Sequence, residues 1–532
     1  MKATFHHMSD FIRFMVKRDR FRIPIWLFAI TIFTVLTASS FSGLYQTEEE
    51  RQAIAETMLN PAMTAMVGPG YGLDDYTEGA MLAHQMLLFS AVIVAIMSIL
   101  LVARHTRSDE EEGRMELLRA LPIGRLSITG ATLTIYIFVH FLLAILMAIG
   151  LTALQIDHIN WTGSLLYGVS LGVVGIFFVA LTSVFAQITE STRGTIGLSF
   201  ATLFFLYIIR AIGDVSIEWL SWLSPLNWIL RTEVYVNNYW WPVLLLFIVS
   251  LFLIILSLYL NFIRDLGSGF LPTRKGSAHA NSYLRNPLAL SFRLQRTSII
   301  IWAIGMFVIG LSYGSIFGDL ESFIASNEMF AEMLTASDIS LTEQFITMLM
   351  TVMSMIATVP ALMIILKLRG EEKRNMTEGL FAYPISRINM IASYTILSVI
   401  CSIVMLLLAC VGLWLAQYFV MEEPLRLGIL LPAIFVYMPA ILVMVAISIF
   451  FIGVIPKMSS MIWCYLGYSF FVVYLGDLLQ FPTWLNSLSP FGAVPNLPVE
   501  DMNWAVTFIL CLIAIVLTTV GFTQYRSRDL EG

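Results

Sequence analysis

Long apolar runs separated by short polar segments dominate the sequence. A membrane-spanning helix needs roughly 20 mostly apolar residues to cross about 30 Å of hydrocarbon. Twelve runs of this kind lie at about 23–44, 83–103, 128–153, 163–187, 195–212, 240–262, 298–318, 344–366, 389–418, 428–453, 460–476 and 503–523. The pattern predicts an all-α polytopic membrane protein with twelve transmembrane helices.

Composition and charge support this class and predict an orientation. Hydrophobic residues make up 58% of the 532 residues, charged residues make up 12%, and the mean hydropathy is +0.82. Soluble domains carry about 25% charged residues. If both termini face the cytosol, all but four of the 30 Lys and Arg residues also face it; the four are Arg51, Arg210, Arg231 and Arg426. Because Lys and Arg accumulate in cytosolic loops, we expect both termini to be cytosolic.

One charged segment occurs twice. RSDEEEGRMELLRALPIGR at 107–125 aligns without a gap with RGEEKRNMTEGLFAYPISR at 369–387. Three further pairs follow at a similar offset: Gly213-Asp214 with Gly476-Asp477, WLSWLSP at 219–225 with WLNSLSP at 484–490, and RDLG at 264–267 with RDLE at 528–531. We therefore predict two six-span halves, residues 1–266 and 293–532, joined by a cytosolic linker, 267–292. Six is even, so the halves share one orientation, as parallel repeats do.

The predicted halves share a layout. Each begins with a basic amphipathic stretch, such as SDFIRFMVKRDRFR at 9–22, which suits a helix lying in the membrane interface. Each has a segment rich in Trp and Pro after its fifth span, at 213–239 and 477–502. These segments are too apolar for free loops and too interrupted for spans. We predict re-entrant or interfacial hairpins, which require protein or a water-filled cavity to satisfy their backbone.

The doubled segment predicts a short amphipathic helix after the second span of each half. Acids would occupy its first turn, where they favour the helix dipole, and Pro122 or Pro384 would end it. One interpretation is an ordinary interfacial helix. However, residues 104–125 contain five Arg and five acidic residues, whereas a helix bound to the anionic inner leaflet is basic. The other interpretation is a docking surface for a protein with two similar sites.

These motifs resemble those of the permeases of type-2 ABC exporters. The pattern E-x-L-x-x-x-P-I-x-R after span two, the LSP element after span five and the RDLG end of each half carry the resemblance. More narrowly, the whole chain resembles the fused twelve-span permeases of bacterial polyketide-antibiotic (tetronasin-type) or multidrug exporters. The resemblance implies a subunit of the bacterial plasma membrane that exports an apolar or amphipathic compound, an antibiotic, drug or lipid-like molecule.

The resemblance also implies partners and site residues. The loops after span two would be coupling helices that dock two copies of a cytosolic ATPase subunit, identical or paired, which bind ATP and Mg. The docking residues would be Arg107, Asp109, Glu110, Glu116, Leu118, Pro122, Arg125, Arg369, Glu371, Glu372, Glu378, Leu380, Pro384 and Arg387. The outer-gate candidates would be Arg210, Asp214, Trp219, Pro225, Asp477, Trp484 and Pro490. The second copy has Lys373-Arg374 where the first has acids, so the two docking sites are not equivalent.

The chain lacks its own energy source. No G-x-x-x-x-G-K-[ST] sequence that would cradle a nucleotide occurs, so a separate polypeptide must hydrolyse ATP. We predict no catalytic residue, no metal site, no cofactor in this chain and no nucleic-acid partner. One alternative is a proton-coupled secondary multidrug transporter, which needs acidic residues inside the bilayer. All 36 Asp and Glu can be placed in loops or at span ends, which argues against proton coupling. A second is a membrane sensor or scaffold that transports nothing.

Two ionisable residues fall within predicted spans. His140 lies in the middle of span three, either as a hydrogen-bonded neutral core histidine or as a substrate contact in a cavity. Arg210 lies near the outer end of span five, either snorkelling or paired with Asp214, or acting in the gate.

Overall fold

The fold comes from a computed structural model of the 532-residue chain. It describes residues 4–529 except 46, 60, 120–121, 266, 272–278, 280–283, 285, 316, 318–340, 374, 422–423 and 476–481, and without the side chains of 61–62, 117–119, 341, 475 and 483. The described residues are almost all in helices or turns, and their single β-type contact is a bridge between Thr189 and Leu271. The chain is therefore all-helical over the described residues.

Two compact units divide the chain, Met1–Gly276 and Ser277–Gly532. The boundary falls inside the predicted linker, 267–292, of which residues 272–278, 280–283 and 285 lie outside the described residues. Each unit has its own buried apolar core.

Unit 1 contains twelve α-helices and a 3-10 helix, Leu73–Asp75, among its described residues. The α-helices are α1 Met8–Arg18, α2 Arg22–Leu44, α3 Glu48–Met58, α4 Pro61–Val67, α5 Glu78–Ala103, α6 Arg114–Arg119, α7 Ser127–Thr152, α8 Trp161–Ile188, α9 Thr192–Ser216, α10 Glu218–Ser221, α11 Pro225–Leu230 and α12 Trp241–Ile263. Helix α5 does not stop at Ala103, because a π-helical turn, Arg104–Ser108, and a last turn, Asp109–Glu111, continue it.

Unit 2 contains nine α-helices and a 3-10 helix, Pro456–Met461, among its described residues. The α-helices are α13 Pro287–Ser315, α14 Leu341–Glu372, α15 Met376–Phe381, α16 Arg387–Val420, α17 Leu427–Phe435, α18 Met438–Val454, α19 Ile462–Leu475, α20 Thr483–Ser487 and α21 Trp504–Ser527. Pro432 and Pro439 lie beside the break between α17 and α18, as expected of a residue that cannot donate a helical hydrogen bond. Together these two helices still form one apolar stretch of 28 residues.

Eleven helical stretches in the described residues have the length and hydropathy of membrane spans. They coincide with eleven of the twelve predicted runs. The remaining run, 460–476, coincides with α19, which has 14 residues and is shorter than the roughly 20 needed to cross the hydrocarbon. The protein is thus a multi-pass membrane protein, and the twelfth span stays a prediction.

The first span begins differently in the two units. In unit 1 the amphipathic helix α1 is separate from α2, and Pro24 lies in the first turn of α2, where its ring disfavours a continuous helix through the preceding residues. In unit 2 the corresponding polar stretch is the first part of the continuous 29-residue helix α13. The prediction of a separate interfacial helix at the start of each half is therefore wrong for unit 2. Within α13 no proline follows Pro287, so nothing there interrupts the helix as Pro24 does in unit 1.

The second and fourth spans form the centre of each unit. In unit 1, α8 and α5 are the most buried spans, with 89% and 67% of their most apolar windows buried. In unit 2, α14 and the α17–α18 stretch are the most buried, at 67% and 61%. The second span of each unit therefore carries the following charged segment at the end of a central helix.

Candidate functional site

The doubled segment extends the second span in both units. In unit 1 the acids Asp109, Glu110 and Glu111 form the last turn of the extended α5 helix, and Gly113, with a left-handed φ of 73°, separates them from α6. In unit 2, α14 runs on through Glu372 before the turn that leads to α15. The prediction that these acids open a new helix is therefore wrong. Nearby arginine side chains offset the unfavourable position of acids at a helix C-terminus.

In unit 1 Glu110 binds the end of the sixth span. Its Oε2 accepts hydrogen bonds from Arg264 at 2.8 Å and from Arg107 at 2.9 Å, and its Oε1 accepts one from the backbone N–H of Gly267 at 2.6 Å. Arg125, just before α7, donates to the carbonyl oxygen of Arg264 at 2.8 Å. We call Arg107, Glu110, Arg125 and Arg264 the first clasp; it ties together the ends of α5 and α12 and the start of α7.

Unit 2 repeats this arrangement. Glu372 Oε2 accepts from Arg528 at 2.6 Å and from Arg369 at 3.2 Å. Arg387 donates to the carbonyl oxygen of Arg528 at 2.5 Å. These four residues, the second clasp, occupy the positions of the first clasp in the duplicated sequence. The same bonding in both units indicates that the charged segment and the RDLG or RDLE element form one structural device.

A second ionic cluster fastens α1 in unit 1. Arg18 donates two hydrogen bonds to Asp109, at 2.6 and 2.9 Å. The next residue, Asp19, lies between α1 and α2 and accepts from His105, from Arg104 at 3.2 Å and from Tyr136 at 3.1 Å.

These contacts set the ionisation of the α1 cluster. Burial raises the pKa of Asp19, but the hydrogen bond and charge of His105 and the hydrogen bond of Tyr136 outweigh it, so the pKa lies below its usual value. The hydrogen bond to Asp109 raises the pKa of Arg18. Both groups therefore stay charged near neutral pH, and α1 is held against the end of α5.

The structure separates the predicted docking residues into buried and exposed sets. The buried set comprises Arg107, Asp109, Arg369, Glu371 and Glu372, and the side chain of Glu110 is also 6% exposed. The exposed set comprises Glu116, Pro122, Arg125, Glu378 and Pro384. Leu380 and Arg387 are half-buried, and the side chain of Leu118 lies outside the described residues. A protein that docks on this arrangement would touch α6, α15 and the prolines that follow them, rather than the buried acids.

Arg210 is buried against the C-terminal end of α4. It pairs with Asp214 at 3.3 Å and donates to the carbonyl oxygens of Thr64, Ala65 and Met66 at 3.3, 2.8 and 3.3 Å. The predicted pairing with Asp214 is confirmed by this geometry, and snorkelling is not needed. A gate role for either residue stays a prediction.

The other described gate candidates lie on or just after the short helices that follow α9 in unit 1 and α19 in unit 2. Trp219 and Trp484 are 67% and 62% exposed, whereas Pro225 and Pro490 are buried. The two LSP elements fold alike: the hydroxyl of Ser224 or Ser489 accepts a hydrogen bond from the backbone N–H two residues later, at 3.3 Å in both units. Asp477 lies outside the described residues.

A comparison with protein families assigns the chain. The family model described as "Multidrug efflux system permease Rv1217c, C-terminal domain" matches residues 9–260 and 284–526. The chain is also 31% identical over 530 residues to the multidrug efflux system permease protein Rv1217c of Mycobacterium tuberculosis (strain ATCC 25618 / H37Rv), with 98% of this chain and 94% of the relative covered. This chain belongs to the Rv1217c multidrug efflux permease family. It is a membrane permease, and the family match spans both units.

His140 of this permease is a hydrogen-bonded core residue that also borders a cavity. Its Nδ1 lies 2.6 Å from the carbonyl oxygen of Tyr136 and its Nε2 lies 2.9 Å from the hydroxyl of Ser98. A carbonyl only accepts, so Nδ1 carries a proton. The Ser98 hydroxyl also lies 2.8 Å from the carbonyl oxygen of Val94, so its single hydrogen has two acceptors within reach, that oxygen and Nε2. The same ring borders an apolar cavity of about 740 Å³ between α7, α8 and the start of α12. A substrate contact there stays a prediction.

Sequence reasoning missed several residues of these clusters. His84, buried near the start of α5, lies 3.0 Å from the hydroxyl of Tyr76 and 3.2 Å from the carbonyl oxygen of Gly68. His105 and Asp19 were not singled out either. A histidine inside an apolar run gives little sequence evidence for a buried polar contact. The sequence evidence for Arg264 and Arg528 is stronger, because both residues lie in the duplicated RDLG and RDLE elements.

Proposed function

We propose that this chain is the permease subunit of an ATP-driven exporter of the type-2 ABC class. One observation carries the proposal: each unit extends its central second span into a clasped charged segment and then presents a short exposed helix, α6 or α15. Two similar helices offer docking sites to two ATPase subunits. The sequence has no nucleotide cradle, so binding and hydrolysis of ATP and Mg are assigned to those partners.

The clasps suggest how a docking event would act on the spans. A force on α6 reaches α5 directly along the chain, α12 through Glu110 and Arg264, and α7 through Arg125. In unit 2, α14, α21 and α16 are linked in the same way by Glu372, Arg528 and Arg387. ATP binding to the ATPase subunits would then shift the equilibrium between two conformations of each unit. The free energy of that shift cannot exceed the difference between the binding free energies for the two conformations.

We propose that the cargo is an apolar or amphipathic compound such as a drug, an antibiotic or a lipid-like molecule, moved out of the cell. The relative's name, a multidrug efflux system permease, supports this direction and this class. The proposed setting is the bacterial plasma membrane with both termini in the cytosol, since Lys and Arg concentrate on the side of the clasps. In that orientation α1, with basic residues and an exposed Phe14, would contact the inner leaflet.

The test is affinity purification of the tagged protein from its host in mild detergent, followed by identification and ATPase assay of the co-purifying chains. We expect a stoichiometric ATPase with the wild type and its loss in the double variant Glu116→Arg and Glu378→Arg. Glu56→Arg, an exposed acid on α3, is the matched control and should retain the ATPase. Equal recovery from both variants would contradict docking on α6 and α15.

A proton-coupled transporter is the second candidate, and the buried contact between His105 and Asp19 favours it. Such a protein would purify without an ATPase and would accumulate drug in proteoliposomes under a pH gradient alone. Uptake that needs ATP and is insensitive to the pH gradient would exclude this candidate.

A further inference from the structure

Unit 2 contains a small pocket of mixed polarity. The pocket has a volume of about 200 Å³ and lies between α14, α19 and the segment that follows α20. Its polar lining consists of Gln344, Thr347, Thr351, Tyr474, Asn486 and Asn496, and its apolar lining includes Met348, Val473 and Phe491. No charged side chain lines it among the described residues. Amide and hydroxyl side chains form neutral hydrogen bonds, so this lining suits a neutral polar group.

The polar groups leave hydrogen-bond acceptors unused. Thr351 shares a 2.6 Å hydrogen bond with the hydroxyl of Tyr437, and Thr347 donates to the carbonyl oxygens of Glu343 and Leu497. The hydroxyl hydrogen of Thr347 is therefore committed, whereas its lone pairs remain available. Asn486 Oδ1 is buried and has no hydrogen-bond partner in the described part of the chain. An unpaired buried acceptor is costly, and the Asn486 side chain lines the pocket.

The duplicated sequence places different residues at one position of the two units. The pair Gly213-Asp214 aligns with Gly476-Asp477, which places Arg210 at the position of Val473. In unit 1 the Arg210 guanidinium is buried against backbone carbonyls; in unit 2 a short valine lines the pocket instead. Gly492 also keeps room, because a Cβ there would overlap the Asn486 side chain.

We propose that this pocket binds the neutral, hydrogen-bond-donating head of an amphipathic compound, a hydroxyl or amide group, while Met348, Val473 and Phe491 contact its apolar part. That the compound is also the exported substrate rests on the proposed function. The binding itself does not, since it needs no ATPase.

The test is ¹⁹F NMR titration of 4-fluorobenzamide into the full-length protein in nanodiscs, with empty nanodiscs subtracted. We expect saturable binding to the wild type. Val473→Phe, which fills the pocket, should weaken binding at least tenfold, and Thr351→Val, which keeps shape but removes a hydroxyl, should weaken it several-fold. Thr519→Val is the matched control, because that exposed hydroxyl bonds only to its own helix, and binding should be unchanged. Circular dichroism and size-exclusion profiles check that each variant is folded.

Two results would overturn the assignment: no saturable binding beyond that of empty nanodiscs, or equal affinity of the wild type and folded Val473→Phe. 4-Fluorotoluene, which lacks the donor, should not saturate; binding as tight as that of the amide would contradict the role of the polar lining. If the amide binds as expected while the purified protein brings down no ATPase, the pocket stands and the ABC proposal fails.

Discussion

Replacing Glu110 by Gln should release the end of α12 from α5. The carboxylate is 6% exposed and lies between Arg107 and Arg264, whose side chains are 1% and 5% exposed. The substitution leaves two buried guanidinium groups facing each other without the negative charge. Removing one partner of a buried ion pair costs about 3–5 kcal/mol. At about 1.4 kcal/mol per factor of ten, the local opening equilibrium of residues 264–268 should rise by roughly 10² to 4 × 10³.

Hydrogen–deuterium exchange of a peptide covering 264–268 measures this opening directly, because the N–H of Gly267 donates to Glu110. Exchange that follows a local opening equilibrium should accelerate by the same factor. Glu116→Gln is the control: that acid is exposed, and surface substitutions change stability by about 0.5 kcal/mol or less. Arg264→Gln should show a similar acceleration, and the double variant should show less than the summed effects, as expected of residues in contact. If Glu110→Gln exchanges no faster than Glu116→Gln, the clasp does not hold these elements together.

Three further predictions concern packing and charge. Gly310→Ala should cost about 1–3 kcal/mol of stability and so lower the apparent Tm, because the added Cβ would overlap a backbone carbonyl of α16. Gly305→Ala, whose Cβ would have no atom within 4 Å, should leave the Tm unchanged. Equal Tm values of the two variants would contradict the close packing of α13 against α16. Arg210→Lys should destabilise by about 1.5–3 kcal/mol in the same assay, since a lysine cannot replace the forked contacts, whereas Arg231→Lys, in a partly exposed pair, should cost at most about 1 kcal/mol. The pKa of Asp19 is lowered in the folded protein, so the ionised carboxylate stabilises the fold above the unfolded pKa of 3.8, and this stabilisation is lost as the pH falls through the lowered folded pKa. The Tm values of the wild type and Asp19→Asn should therefore differ at pH 7 and converge in acid. A Tm difference that does not change with pH would refute the ion-pair role.

The candidate site was only partly visible in the sequence. The doubled segment and the RDLG and RDLE elements were recognised separately, but nothing in the sequence joined Glu110 to Arg264, which are 154 residues apart, or Glu372 to Arg528, which are 156 residues apart. Several acids expected on a docking surface are therefore buried in ionic contacts within the chain. A charged side chain near a predicted span end can point to solvent or to another helix end, and the pattern of charges is the same in both cases.

By itself, the sequence determined the class of the protein and eleven apolar helices, because bilayer thickness imposes a length on every apolar run and this is a local property of the chain. It also showed the doubled charged segment. Tertiary structure alone decided which helix ends meet: Asp19 with His105 across 86 residues, the two clasps, and the pocket in unit 2 where Val473 replaces the Arg210 of unit 1. These depend on how helices pack, since burial makes an unpaired charge costly and packing selects the partner that satisfies it.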